Sequence, residues 1–166
     1  MTTRLLAGLT ILCLGTWGTA QADDATFSTS TLTPETALTA AQETLEFCRD
    51  QGYQIAVSVT DRAGTPIAML RDRYAGAHTP ETATRKAYTA ASFNMHTLSL
   101  AEETQSGKEA SGIRQVTNVL ALGGGVPISA AGSMVGAIGV SGAPGGEADE
   151  ECAQAGIDAI QDDLDF

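Results

Sequence analysis

The sequence predicts an α/β fold: an α+β sandwich in which helices flank a five-stranded, largely antiparallel sheet, in the order α-β-β-α-β-β-β-α. Three observations carry that expectation. Apolar residues recur at helical spacing around Pro34 to Asp50, Pro80 to Thr97 and Glu147 to Asp163. The short apolar runs between them meet at tight glycine corners, Gly123-Gly124-Gly125 and Ala131-Gly132-Ser133. The last run, Val135 to Val140, feeds through Gly142-Ala-Pro-Gly-Gly146 straight into the acidic start of a helix.

The first helix is expected from about Pro34 to Asp50. Thr33-Pro34-Glu35 reads as N-cap, first helical position and favourable acid at the positive helix end. Leu38, Ala41, Leu45 and Cys48 form one apolar stripe, and Gly52 stops the helix. Ile55, Val57 and Val59 alternate with Ala56, Ser58 and Thr60, which predicts a strand with a small-residue second face. Asp61-Arg62-Ala63-Gly64 supplies a hairpin turn, and Pro66 to Leu70 is the return strand.

Thr79-Pro80-Glu81-Thr82-Ala83 repeats the five residues at Thr33 and predicts a second helix, with Thr79 as N-cap. Tyr88, Ala91 and Met95 share one face beside Ala83, Ala87 and Ala90, small residues that permit close packing. Leu98 to Glu103 adds a short helical turn, and Ser106 to Gln115 reads as a mobile loop. Val119 to Leu122, Val126 to Ala130 and Val135 to Val140 are expected as three strands. The final helix buries Ala153, Ile157, Ile160 and Leu164. Met69, Met95 and Met134 read as core filler.

The first 22 residues read as a secretory signal peptide: Arg4, a mostly apolar run from Leu5 to Trp17, and the small-x-small site Ala20-Gln21-Ala22. The apolar run is too short for a permanent bilayer anchor, and Ile11 and Leu12 before Cys13 argue against lipidation. Residues 23–32 are a Ser/Thr-rich flexible leader, and 33–166 form a single domain. Localisation is therefore expected to be periplasmic or secreted, with no membrane anchor once the signal is cleaved. Cleavage leaves Cys48 and Cys152 of three cysteines, which in an oxidising compartment predicts a disulfide; two buried free thiols are the alternative. The formal net charge is −11, and one unit more negative without Arg4. Nucleic acid and anionic lipid are poor partners for such a chain.

Several of these pieces resemble the GlcG/HbpS family of heme-binding-type domains, which also occurs as the C-terminal domain of PduO-type proteins. The matching residues are Val57-Ser-Val-Thr-Asp61 with Gly64, Lys86-Ala-Tyr-Thr-Ala-Ala91, Gly123-Gly-Gly-Val-Pro127, and Val135-Gly-Ala-Ile-Gly-Val-Ser-Gly142 running into Asp149-Glu-Glu-Cys-Ala153. They span about Leu32 to Ile160. The resemblance implies an α/β sandwich, a homo-oligomer of six or eight subunits (hexamer or octamer) and, for exported members, binding or sensing of heme or a related small ligand. Some relatives place a histidine on the first helix. This chain has none between Pro34 and Asp50, so the axial ligand does not carry over.

The residues themselves offer two histidines. His78 lies in the loop Arg71-Asp-Arg-Tyr74-Ala-Gly-Ala-His78, where His78 or Tyr74 suits heme iron and Arg71 or Arg73 suits a propionate. A polar surface loop is the plainer reading. His96 falls near the end of the second helix, where it also fits the helix dipole. Arg85 and Lys86 could hold a carboxylate or form a solvated basic face. No zinc-ligand spacing, no phosphate-loop motif and no G-x-S-x-G elbow around Ser141 is present. The expectation is an exported, oligomeric, non-catalytic heme-binding protein for storage, sequestration or sensing. The alternatives are a periplasmic binder of a small organic acid or other cofactor using Lys86 or Arg85, and a ligand-free accessory subunit.

Overall fold

The computed structural model describes residues 25–164. The signal-peptide expectation for residues 1–22 lies outside the described residues. Helix α1 spans Pro34–Asp50, strands β1 and β2 span Ala56–Thr60 and Pro66–Arg71, and helices α2 and α3 span Thr79–Phe93 and Thr97–Glu103. A 3-10 helix at Glu109–Gln115 follows, then β3 at Gly125–Ala130, β4 at Ser133–Ser141, α4 at Gly146–Asp158 and α5 at Gln161–Leu164.

The strands form one antiparallel sheet in the order β2-β1-β4-β3. Its faces follow from strand alternation. Val57 and Val59 of β1, Ile138 and Val140 of β4, and Val126 and Ile128 of β3 point to the main core, where α1 and α4 cover them. Fully burying each such side chain stabilises by about 1.5–3 kcal/mol. The opposite face of β4 carries Ala137, Gly139 and Ser141 and lies under the alanine side of α2. That closeness demands small residues: a Cβ at Gly139 would meet the Ala83 carbonyl and lie 2.5 Å from the Ala87 amide nitrogen. Val57 stands opposite both Leu70 and Val140, which fixes the register across three strands.

The hairpin forms as the sequence predicts. Asp61 accepts hydrogen bonds from the amides of Ala63 (2.8 Å) and Thr65 (2.9 Å), and Gly64 takes a φ of 79°. Thr33 caps α1 by accepting from the Thr36 amide at 3.2 Å. Cys48 on α1 faces Cys152 on α4 with Cα atoms 5.6 Å apart, within disulfide reach. The buried stripe of Ala153, Ile157, Ile160 and Leu164 is as expected.

Several expectations are corrected. Among the described residues the sheet has four strands, not five, because Val119 to Leu122 does not pair with a strand. Its backbone bonds to side chains instead: Arg85 donates to the Val119 carbonyl (3.0 Å), the Leu120 amide donates to Thr89 (2.9 Å) and Thr97 donates to the Leu122 carbonyl (2.7 Å). An apolar run satisfied this way by side chains of α2 and α3 has no need of a sheet edge. The expected loop at 106–115 contains a 3-10 helix, anchored by Arg114 donating to the carbonyls of Thr104 and Ala101, both at 2.8 Å. Thr79 does not cap α2. Its hydroxyl donates to the Gly76 carbonyl, and His78 occupies the cap position without a side-chain cap bond. The expected final helix breaks at Ala159, so Ile160 reaches the core from the turn between α4 and α5.

Burial also shifts some faces. On α1 the inward residues are Ala37, Ala40, Ala41, Thr44, Leu45 and Cys48, whereas Leu38 is exposed. Met69 and Met95 are exposed and Met134 is half-buried, so none of the three fills the core. The leader ends docked: the Leu32 side chain is buried and its amide bonds to the Val135 carbonyl at 3.2 Å.

Candidate functional site

The loop between β2 and α2 is held from below by a buried carboxylate. Asp72 accepts from Arg49 Nε at 2.9 Å and from Arg49 Nη2 at 2.6 Å, while its own amide donates to the Ile55 carbonyl at 2.9 Å. A two-pronged guanidinium contact fixes direction as well as distance. Arg71 closes the same loop by donating to the Ala75 carbonyl. The loop therefore delivers His78 to the start of α2 in a defined place.

There, the β2–α2 loop, the start of α2 and the glycine corner after β4 enclose a cleft of about 380 Å³. Such a volume falls within the range of ~300–1,000 Å³ usual for small-molecule sites. One wall carries His78, Thr79 and Thr82; the other carries Ser141 and the Gly142–Gly146 corner that opens α4. His78 makes no hydrogen bond or ion pair through its imidazole among the described residues.

The ion pair of Lys86 and Asp149 forms the floor. Lys86 Nζ donates to Asp149 Oδ2 at 2.7 Å and to the Val140 carbonyl at 2.9 Å; Asp149 Oδ1 accepts from the Ala143 amide at 2.9 Å. Lys86 is only 1% exposed. Burial pushes its pKa below the ordinary value, and the Asp149 charge acts against that push. Burial likewise pushes the Asp149 carboxyl upward, opposed by Lys86 and by the Ala143 and Gly142 amides. The glycines make room for the pair: a Cβ at Gly124 would lie 2.6 Å from the Asp149 Cβ and 3.0 Å from Lys86 Nζ.

Of the residues singled out from sequence, the structure brings His78 and Lys86 to this cleft. Tyr74 is 80% exposed on the loop, outside the cleft lining, and Arg73 is also exposed. Arg71 lines a separate depression with Arg49, Glu43 and Glu46. Arg85 is engaged by the Val119 carbonyl and stands 3.8 Å from Glu81. His96 Nδ1 lies 2.8 Å from Glu150 Oε1, so it ties the start of α3 to α4. Lys86 is not part of a solvated basic face; the carboxylate it holds belongs to the protein.

Asp149, Thr82 and Ser141 were not legible as site residues. Asp149 looked like one acid among several at a helix start, and its pairing with Lys86 spans 63 positions. The available signal was the glycines that precede it, Gly142, Gly145 and Gly146, together with Gly124, whose missing side chain leaves room for Asp149. Among the described residues, no group of three or more His, Cys, Asp or Glu side chains is placed to hold a metal ion, and no helix is long and apolar enough to cross a membrane.

The family model described as "HbpS-like: Haem degrading protein HbpS-like" matches residues 32–158. A double variant of Streptomyces reticuli HbpS has a crystal structure that superposes with a TM-score of 0.79 at 35% identity, covering 86% of this chain and 96% of that one. The crystal structure of a PduOC:heme complex superposes with a TM-score of 0.74 at 27% identity, covering 78% and 95%. An uncharacterized 15.0 kDa protein from the dhaT-dhaS intergenic region of Citrobacter freundii is 31% identical over 111 residues, 65% of this chain and 77% of that protein.

Proposed function

This chain belongs to the HbpS-like family, and from that premise we propose that it is a heme-binding protein whose porphyrin site is the cleft at the start of α2. The observation that carries the reading is His78: an imidazole without a partner among the described residues, on the wall of a cleft of about 380 Å³ that is open to solvent and can receive the edge of a larger ligand. A ring nitrogen of His78 is the group placed to ligate heme iron, with the exposed phenol of Tyr74 on the same loop as the competing donor. Arg73 on that loop is exposed and makes no ion pair among the described residues, so it is available to a propionate. Bound heme would supply an iron centre, which His78 or Tyr74 would hold.

We extend the reading to an exported, homo-oligomeric protein, periplasmic or secreted, that stores, sequesters or senses heme without transforming it. The Cys48–Cys152 pairing supports an oxidising compartment. Binding of an organic acid through Lys86 or Arg85 is less well supported, since Asp149 and the Val119 carbonyl already engage those side chains.

The test is a hemin titration followed by absorbance. A Soret band is expected in the unaltered protein, with affinity reduced about tenfold or more, equivalent to about 1.4 kcal/mol, in His78→Ala. Unchanged binding in both His78→Ala and Tyr74→Ala would remove this site. Because the family's description names heme degradation, the bound band is then followed under reductant and oxygen. A persistent band supports storage or sensing, and its decay to ring-opened products would overturn the non-catalytic part.

A further inference from the structure

We propose that Ser141 and the first turn of α4 form a carboxylate-binding subsite inside this cleft. Three observations support it. Alternation along β4 sends Val140 to the core and Ser141 to the α2 side, where it lines the cleft wall. Ser141 is only 5% exposed, yet its hydroxyl has no hydrogen-bond partner among the described residues. Its oxygen is not among the wholly enclosed unpaired atoms, so it opens into the cleft, where a donor on a nearly buried residue is available to an acceptor. Beside it, Gly145 caps α4 with no side-chain cap, so the first amides of a 13-residue helix have no side-chain acceptor. Gly145 and Gly146 both line the cleft.

An anionic group suits this end of the helix. The local charge balance permits it, because the Asp149 carboxylate is matched by Lys86 and the Ala143 amide, while Glu147 is exposed. The small lining at Ser141 and the glycines fits a planar carboxylate. The subsite rests on this geometry alone; its occupant, a heme propionate, rests on the heme reading above. A free small carboxylate is the other source of the same chemistry.

Two arms separate the sources. In the first, sodium propionate is titrated into the protein and the amide resonances of Ser141, Gly145 and Gly146 are followed by NMR. In the second, hemin and hemin dimethyl ester are compared by absorbance. Ser141→Ala removes a hydroxyl that bonds to nothing, so it is expected to fold with unchanged stability. Propionate is expected to shift those three resonances, and Ser141→Ala is expected to weaken hemin about tenfold while leaving the dimethyl ester unaffected. Shifts with propionate in a protein that does not bind hemin would uphold the subsite and sink the heme reading. Hemin and its ester bound equally by both proteins, with no shift from propionate, would overturn the subsite and leave the heme reading standing.

Discussion

Lys86 Nζ and Asp149 Oδ2 lie 2.7 Å apart beneath the cleft, joining the middle of α2 to the first turn of α4. Both side chains are almost wholly buried. The pair orients the two helices whose starts line the cleft. Its energetic consequences can be read by breaking it.

Removing one partner strands a buried charge. Lys86→Met or Asp149→Ala is expected to cost about 3–5 kcal/mol. Lys86→Met combined with Asp149→Asn is expected to recover most of that loss, since Asn can still accept from the Ala143 amide. Urea unfolding of the three variants measures this. A double variant no more stable than the singles would show that the charges are not coupled.

The same pair gives a signed dependence on pH. Asp149 has a folded pKa above its ordinary 3.8, so the folded state binds its proton more readily. Its contribution to stability is fully present below 3.8 and lost as pH rises through the folded value. Lys86 has a folded pKa below 10.5, so its contribution is complete above 10.5 and lost as pH falls through the folded value. Stability of the unaltered protein relative to the double variant should therefore pass through a minimum between the two folded values and rise towards both acid and alkali. A maximum at neutral pH would contradict the burial account.

Gly139 tests the contact between α2 and the sheet. A methyl group there would collide with the Ala83 carbonyl and the Ala87 amide, both of them backbone. Gly139→Ala is expected to destabilise by about 1–3 kcal/mol as α2 is pushed outward. The alanine change at exposed Gly112, where a Cβ would meet nothing within 4 Å, serves as the comparison in thermal melts. Equal effects at the two sites would argue against close packing.

The Cys48–Cys152 pair should give a mass difference of about two hydrogens between unreduced and reduced protein, one for each cysteine thiol. The bridge closes a sequence separation of 104 residues. Its reduction is expected to remove about 3–5 kcal/mol of stability by enlarging the unfolded ensemble. Denaturant midpoints with and without reductant measure this. Identical midpoints would mean that the bridge contributes nothing or does not form.

Local chemistry made much of the fold legible. Thr33 and Pro34 start α1, and Asp61 and Gly64 make the hairpin, because caps and turns depend on neighbours in sequence. The two cysteines faced the core on helices that could be neighbours, and they are neighbours. The missed element, Val119 to Leu122, shows the limit of periodicity. Its apolar run resembles a strand, but Thr89, Thr97 and Arg85 from distant positions take up its backbone groups. Similarly, Leu38 sits at helical spacing with Ala41 and Leu45 yet remains exposed, since the alanines let the helix settle on its narrower face.

The chain by itself determined where helices and strands begin, which cysteines could meet, and the presence of histidine on a loop before a helix. Each of these depends on side chains within a few residues of one another. Only the tertiary structure decided that His78, Ser141 and the start of α4 share one cleft, and that Lys86 answers Asp149 instead of solvent or ligand. Those contacts join segments tens of residues apart, and burial in a common interior, not local spacing, selects their partners.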